Sequence, residues 1–430
     1  MFSKHLLPIV ILVIFPLNIV HALTVQDLIA ATIATHPNIQ SVMAQREAAL
    51  IDVETAKQQF YPTPSISLEQ VRSSAADLSY GNQSNVQLYR VQQPVWTGGR
   101  LTAGLSKAQA NAMAAGEGFR DIRQQMALRA TQGWSDWYLA SLRVKAQERG
   151  VQTHRRLMGI IQRRVTEGAM APSELNLTQS RLDQAMSQLQ SFSAQLRVAR
   201  LRVAQLIGRN LSVSDFPELS GEPVQCDANT LKDRTIEVSA ALKKLKAQQD
   251  ALGFELQERQ AELMPEVFLR LERQHSPTAY GITSVTNDRI YVGLNSRFGA
   301  GLSNLTALES LNKRRDASQA EYEAVERTVI ETVQSELEQL ISTNAKLPLL
   351  RNALVSTSET EMALDRQFLA GRRAWIEVLN AARETVQAEI ELGDANASQV
   401  SSQWRLSIYC GQQEEIPLEM MPRASREIQK

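Results

Sequence analysis

Pro94-Val95-Trp96-Thr97-Gly98-Gly99-Arg100 opens, and Glu167-Gly168-Ala169-Met170-Ala171-Pro172 closes, a stretch with no proline between its two stops. Apolar or small residues recur inside it at Leu101, Leu105, Ala108, Ala112, Ala115, Phe119, Ile122 and Met126. The rhythm resumes, with one seam position moved by a residue, at Trp137, Ala140, Val144, Val151, Met158, Ile161 and Val165. Alternating steps of four and three make a heptad seam, the pattern of helices that supercoil against neighbours. At 1.5 Å per residue the helix runs ~100 Å, far beyond the length of globular helices. A rod of that length cannot bury its seam in one small domain, so the seam requires partner rods.

Composition narrows the class. The chain has 430 residues and a formal net charge of zero, without the basic excess that a nucleic-acid partner calls for. Aromatics make up only 5%, low for a packed enzyme of this size, while Ala, Gln, Leu, Glu, Arg and Ser abound, as in long helices. Residues 1–22 read as a secretory signal: Lys4, an apolar run from Leu6 to Val20, and a small-residue cleavage site at Val20-His21-Ala22. No later apolar run reaches the ~18–20 residues of a spanning helix. The mature chain, from Leu23, is therefore expected to be exported, with no transmembrane helix and no cysteine at its start to carry a lipid. The two cysteines, Cys226 and Cys410, are either a disulfide, which an exported chain permits, or two unrelated thiols.

Working outward from the rod, a helical pattern over 24–59 is broken at His36-Pro37 and stopped at Tyr61-Pro62. Strands are expected at 65–73 and 85–95, a half-buried alternation in the first and a poorer one in the second, with a polar loop from Ser73 to Gln83 between them. The long helix covers 98–167 and a further helix 173–207, with Leu175, Leu182, Leu189 and Leu196 spaced by sevens. A connector fills 208–230. The order then repeats: helix 231–262, strands 266–274 and 288–298, long helix 301–369 with Pro348 expected to bend it, helix 372–410, and a polar tail over 411–430. Pro62 and Pro265, Gly168 and Gly371, and Glu174 and Glu377 are each 203 residues apart. Three landmarks at one offset read as a tandem duplication, with repeats at 23–207 and 231–410.

Each strand has the ~10 residues a tilted strand needs to cross a bilayer. Aromatics gather around them: Phe60, Tyr61, Tyr80, Tyr89 and Trp96 in the first half, Phe268, Tyr280, Tyr291 and Phe298 in the second. Such rings settle at membrane interfaces. Four strands cannot close a barrel, and an open edge in lipid leaves backbone groups unpaired. Several chains must therefore share one barrel, as the rods also demand. The rival is a periplasmic coiled-coil adaptor or scaffold whose small sheet never enters lipid.

The chain resembles the TolC family of outer-membrane channel proteins. The resemblance is carried by Leu23-Thr24-Val25-Gln26-Asp27-Leu28 with His36-Pro37, by Gln93 to Arg100, by Gly371 followed by Ile376-Glu377-Val378-Leu379-Asn380, and by the duplication. It spans Leu23 to about Cys410. It implies a mainly α fold with transmembrane β: per chain, four long-helix segments and four strands, and in the homotrimer a twelve-stranded barrel on a periplasmic helical tube. It also brings the connector and the end of the last helix into one belt, which implies a Cys226–Cys410 disulfide.

The resemblance further implies roles. The turns at Gly168 and Gly371 form the periplasmic tip. Glu174 and Glu377 match the family's acidic places in the constriction and Arg373 the arginine that ties neighbouring helices shut. Phe368 stands where the family can carry a tyrosine, and Asn380 where it often has Asp. Gly98, Gly99, Gly299 and Gly301 are expected to let the chain swivel from strand to helix. As nucleotide loops they lack the third glycine and the Lys-Ser/Thr of a phosphate loop. Of the five histidines, His5 and His21 leave with the signal, and His36, His154 and His275 are scattered. No metal-ligand spacing or nucleophile elbow appears. The expectation is a non-enzymatic duct with no cofactor or metal. It takes substrate from an inner-membrane transporter, favoured as ABC type, through a periplasmic adaptor to the exterior and sits in outer-membrane lipid. The cysteine pair and the lack of a lipid anchor incline it to type I secretion of an adhesin-like protein; the alternative is multidrug efflux.

Overall fold

A computed structural model describes residues 22–70, 85–211, 215–218, 226–276, 285–296 and 300–411. The leader, the tail beyond Gly411, Gly299, Tyr80, Tyr280 and Phe298 lie outside the described residues. The chain runs β1 (Ala22–Leu23), α1 (Val25–Thr35), α2 (Pro37–Gln58), β2 (Thr63–Gln70), β3 (Asn85–Trp96), α3 (Arg100–Thr166) and α4 (Pro172–Ile207). It continues with β4 (Phe216–Pro217), α5 (Leu231–Val238), α6 (Ala240–Ala261), β5 (Glu266–Ser276) and β6 (Val285–Asn295). A single 3-10 turn, Ala300–Leu302, leads into α7 (Ser303–Leu369) and α8 (Trp375–Tyr409).

α2 and α6 both have 22 residues, and α3 and α7 both have 67. α6, α7 and α8 each begin 203 residues after α2, α3 and α4. The offset also accounts for a break the residues do not announce. The helix expected over 231–262 is two helices, parted at Ser239, which stands 203 residues after His36. Ser239 has extended ψ (111°), and its hydroxyl accepts from the Leu242 amide at 3.4 Å, an N-cap without a neighbouring proline. Three other boundaries shift from expectation. α3 starts at Arg100 because Gly98 and Gly99 both hold positive φ. α8 starts at Trp375, leaving Arg372 and Arg373 in the turn. β6 is displaced to Val285–Asn295. Pro348 lies inside α7, which continues through it.

The chain packs as two compact units. One gathers, of the described residues, 22–31, 130–211, 215–218 and 346–400. In it the later parts of α3 and α7 pack with α4 and most of α8. Its core at the helix turns is Leu157, Ile161, Phe368, Trp375, Val378 and Leu379, and a second cluster sets Val151 of α3 against Leu182 and Ala185 of α4. Arginines of α3 meet acids on the second-half helices: Arg143 with Asp394 at 3.0 Å, Arg156 with Asp365 at 2.9 Å, and Arg149 with Glu389. Trp134, fully buried, stacks on Tyr138 and donates from its indole to the Leu23 carbonyl at 3.0 Å, which anchors β1 on α3.

The other unit gathers, of the described residues, 32–70, 85–129, 226–276, 285–296, 300–345 and 401–411. It holds a four-stranded antiparallel sheet in the order β2-β3-β5-β6. The β3–β5 register slips between Pro94 and Trp96. The slip adds one residue near the end of β3, whereas the poor alternation lies upstream, where Leu88 shares a face with Arg90 and Tyr89 shares the other with Val91. Away from the sheet, Leu231, Val333, Leu406 and Cys410 form an apolar cluster with Cys226 packed against it. Cys226 and Cys410 are bonded there, with Cα atoms 6.7 Å apart.

Candidate functional site

Two places combine unusual geometry with chemistry, the pair of helix turns in the first unit and the two faces of the sheet in the second.

Both turns end their long helices in the same way. Gly168 donates to the Val165 carbonyl at 3.0 Å and Ala169 to that of Arg164 at 2.7 Å. Gly371 and Arg372 repeat this onto Phe368 and Gln367 at 3.0 and 2.8 Å. This is the Schellman closure, and it needs a left-handed residue at the stop. Gly168 and Gly371 supply it with φ of 75° and 73°. The backbone is therefore duplicated, and the side chains are not. Position 170 is Met, packed into the core, whereas its counterpart 203 residues on is Arg373.

The acids in the first turns of α4 and α8 consequently meet different partners. Glu377 accepts from Arg373 at 3.1 Å and from the Ala374 amide at 3.4 Å, half of a capping box. Arg373 also donates to Gln367 at 3.2 Å. Glu174 has no arginine in its own turn; its carboxylate accepts from the Trp375 indole N–H at 2.7 Å, which ties the start of α4 to the start of α8. Phe368, expected near an opening, is 1% exposed and belongs to the core of the turns. The Arg164 guanidinium lies 4.6 Å from its ring centre and donates to its carbonyl at 3.4 Å. Asn380 is exposed on α8. Trp375 and Arg164 were not singled out from the sequence. The offset could have exposed Trp375, because it occupies the N1 place that Pro172 holds in α4.

At the strand-to-helix junction, Gly98 and Gly99 have φ of 62° and 92°. A Cβ on Gly98 would fall 2.5 Å from that of Met264, so the junction needs both the left-handed backbone and the missing side chain. Gly301 has φ 59° inside the 3-10 turn.

The strand register sorts the sheet into two faces. One carries Ile66, Leu68, Val91, Leu271, Ile290 and Val292, all exposed, and Leu294 further along β6. Trp96 stands on this face at the helix end, half exposed. The opposite face is richer in polar groups: Arg90 meets Glu272 at 2.7 Å, Arg289 meets the same carboxylate at 3.7 Å, and Arg270 donates to Gln92 at 2.8 and 3.0 Å. Val86, Leu88 and Phe268 also lie on it. Register assigns a face to two of the rings expected at membrane interfaces. Tyr291 pairs with Arg270, and Phe268 lies across Gly293, both on the polar face. A ring there covers backbone that glycine leaves bare. The outer edges of β2 and β6 pair with no strand among the described residues.

No group of three or more metal-ligating side chains occurs among the described residues, and none of their helices is long and apolar enough to cross a membrane.

Against known proteins, residues 28–209 and 231–412 both match the family described as outer membrane efflux protein, one match per half. The alkaline protease secretion protein AprF of Pseudomonas aeruginosa is 22% identical over 347 residues, covering 79% of this chain and 72% of that protein. A membrane protein from Pseudomonas aeruginosa superposes with a TM-score of 0.77 at 17% identity, covering 90% of this chain and 92% of the other. The outer membrane channel CmeC of Campylobacter jejuni superposes at 0.76 with 10% identity, covering 94% and 88%. These likenesses show a TolC-like fold, and the family and its neighbours are channel proteins, not enzymes.

Proposed function

Because the chain belongs to the outer membrane efflux protein family, we propose that it is the exit duct of a type I protein-secretion assembly, built as a homotrimer in the outer membrane. The sheet carries the reading. It has one exposed apolar face, one polar face and two open edges. In lipid an open edge leaves N–H and C=O groups unpaired, each costing several kcal/mol (about 4–8 for transfer to hydrocarbon). Three copies joined β6 to β2 pair every edge in twelve strands, with the apolar face on lipid and the polar face on a water-filled interior. A soluble scaffold would have to bury Ile290, Val292 and Leu294, which this chain leaves exposed.

The turns at Gly168 and Gly371 form the periplasmic end of this duct, where Glu174 and Trp375 tie α4 to α8 and Arg373 pairs with Glu377 within its own turn until an adaptor engages them. An inner-membrane ABC transporter supplies the energy. AprF, by its description a protein for alkaline protease secretion, supports protein cargo over small molecules. The family's description as efflux proteins favours drug export as the second reading. Co-expression with an ABC transporter, its adaptor and a large repeat-protein substrate tests the choice. Export of that substrate lost on deletion of this chain, with unchanged drug susceptibility, is the expected result. Retained export together with new drug sensitivity would reverse it.

A further inference from the structure

The polar face of the sheet is not evenly charged. In register, Ser65, Arg90, Glu272 and Arg289 form one row across the four strands, and Thr63, Gln92, Arg270 and Tyr291 form the next row on the same face. Two adjacent rows therefore hold three arginines against one glutamate. Glu272, with its side chain 8% exposed, is shared by Arg90 and Arg289. Arg270 is held by neutral groups: the Gln92 carbonyl oxygen and the Phe268 ring, whose centre is 4.8 Å from the guanidinium carbon. Both partners orient the cation without cancelling its charge.

Among the described residues, the other acids of this face lie further along the strands. Glu69 is four residues along β2 from the Arg90 row, and Glu266 four residues along β5 from Arg270. At 3.3 Å per residue each is ~13 Å away, beyond the ~8 Å screening length of physiological salt. Glu266 is moreover met by Arg100 at 3.6 Å. The only charged pair at the opposite end of the apolar face, Arg273 with Asp288 at 2.8 Å among the described residues, is neutral in sum. The two rows thus form a belt of local charge +2 per chain halfway along the strands.

We propose that Arg90, Arg270 and Arg289 form a cationic belt on the inner wall that makes the duct prefer anionic solutes, and that the polypeptide segments it favours are acidic. The inference rests on the duct reading, since the belt faces an interior only if copies close the sheet. Rings of Arg or Lys select anions in pores by raising their local concentration. Threefold repetition multiplies the belt's charge without any new contact.

The test uses the full chain, purified from outer membranes and reconstituted in planar bilayers under a tenfold KCl gradient. Wild type is expected to show a chloride-to-potassium permeability ratio above one, Arg270→Glu, which takes the belt from +2 to zero per chain, a ratio lowered to about one, and Arg270→Lys the wild-type ratio. Polyglutamate should block the current at concentrations where polylysine does not. Migration of the unheated oligomer in gels checks assembly of each variant; if Arg270→Glu fails to assemble, Arg270→Gln and Arg289→Gln must each lower the ratio. A potassium-preferring wild type, or ratios that assembled variants leave unchanged, overturns the belt and leaves the duct intact. A wild type that opens no channels overturns the duct reading, and the belt with it.

Discussion

The bond between Trp375 and Glu174 yields the sharpest prediction, because it links the starts of α4 and α8 through a single donor and a single acceptor. Replacing Trp375 with Phe keeps a ring in the core with Leu157, Ile161 and Phe368 but removes the N–H that donates to Glu174 at 2.7 Å. A hydrogen bond to a charged acceptor contributes about 1.5–3 kcal/mol. Glu174 is half-buried, so water replaces part of the lost bond and about 1–2 kcal/mol of coupling remains. The smaller ring adds a packing loss of about 1 kcal/mol or more. A double-mutant cycle separates the two, since Glu174→Met removes the acceptor, Trp375→Phe removes the donor, and the two share only the bond. If three copies part together, about 3–6 kcal/mol is withdrawn from the closed state, roughly a hundredfold to ten-thousandfold in its population. Thermal unfolding of the four proteins in detergent reads the coupling, and single-channel conductance reads the opening. Arg373→Glu is the comparator: its pair with Glu377 is exposed and contributes about 0–1 kcal/mol, so conductance should rise less than in Trp375→Phe. Coupling below about 0.3 kcal/mol, the level of additivity, together with unchanged conductance in Trp375→Phe, would refute the reasoning.

Removing the disulfide by Cys226→Ser with Cys410→Ser should lower the melting temperature. With a sequence separation of 184, chain entropy gives about 5 kcal/mol as an upper value. Reductant should bring wild type down to the double variant and leave the variant unmoved, and two free thiols in the native mass would refute the bond. Val292→Arg puts a cation on the apolar face, where it costs about 2–4 kcal/mol at mid-membrane; the heat-sensitive oligomer should be lost, while Tyr291→Gln on the other face should retain it. Burial raises the Glu389 carboxyl above its ordinary value of 4.5, with Arg149 opposing the shift. The folded state then holds a proton that the unfolded chain has released, so this group's contribution to stability falls as pH rises through the window just above 4.5. Glu389→Gln should flatten that slope in melting temperature against pH, and an unchanged slope would remove the assignment.

Much of the architecture was legible because it is written in period and punctuation. The heptads of α3, the Gly/Pro stops at 168–172 and the 203-residue offset placed the rods, the turns and the strands to within a few residues. What stayed hidden lacked local punctuation or depended on tertiary contact. The Ser239 break has no proline to announce it and shows only through its relation to His36-Pro37. β3 looked irregular because both of its faces mix residue types, Leu88 with Arg90 on one and Val91 with Gln93 on the other. Phe268 and Tyr291 read as interface aromatics by type, yet register puts them on the polar face, where Phe268 covers Gly293. At the turns the acids were visible as first-turn residues, but their partners were not: Met170 and Arg373 occupy equivalent places, and only packing sends Trp375 to Glu174. The arginines of the belt were visible singly, as the polar side of alternating strands. Their convergence on Glu272 depends on the pairing of β3 with β5 and β5 with β6, which no single segment contains.

The central claim is that β2 and β6 are completed by other copies of the same chain in lipid. Native mass spectrometry of the protein extracted from outer membranes in mild detergent, followed by release from the micelle, tests it most directly. The expected particle holds three chains, survives release and falls to one chain on heating. A monodisperse single chain, stable in plain buffer without detergent, would contradict it.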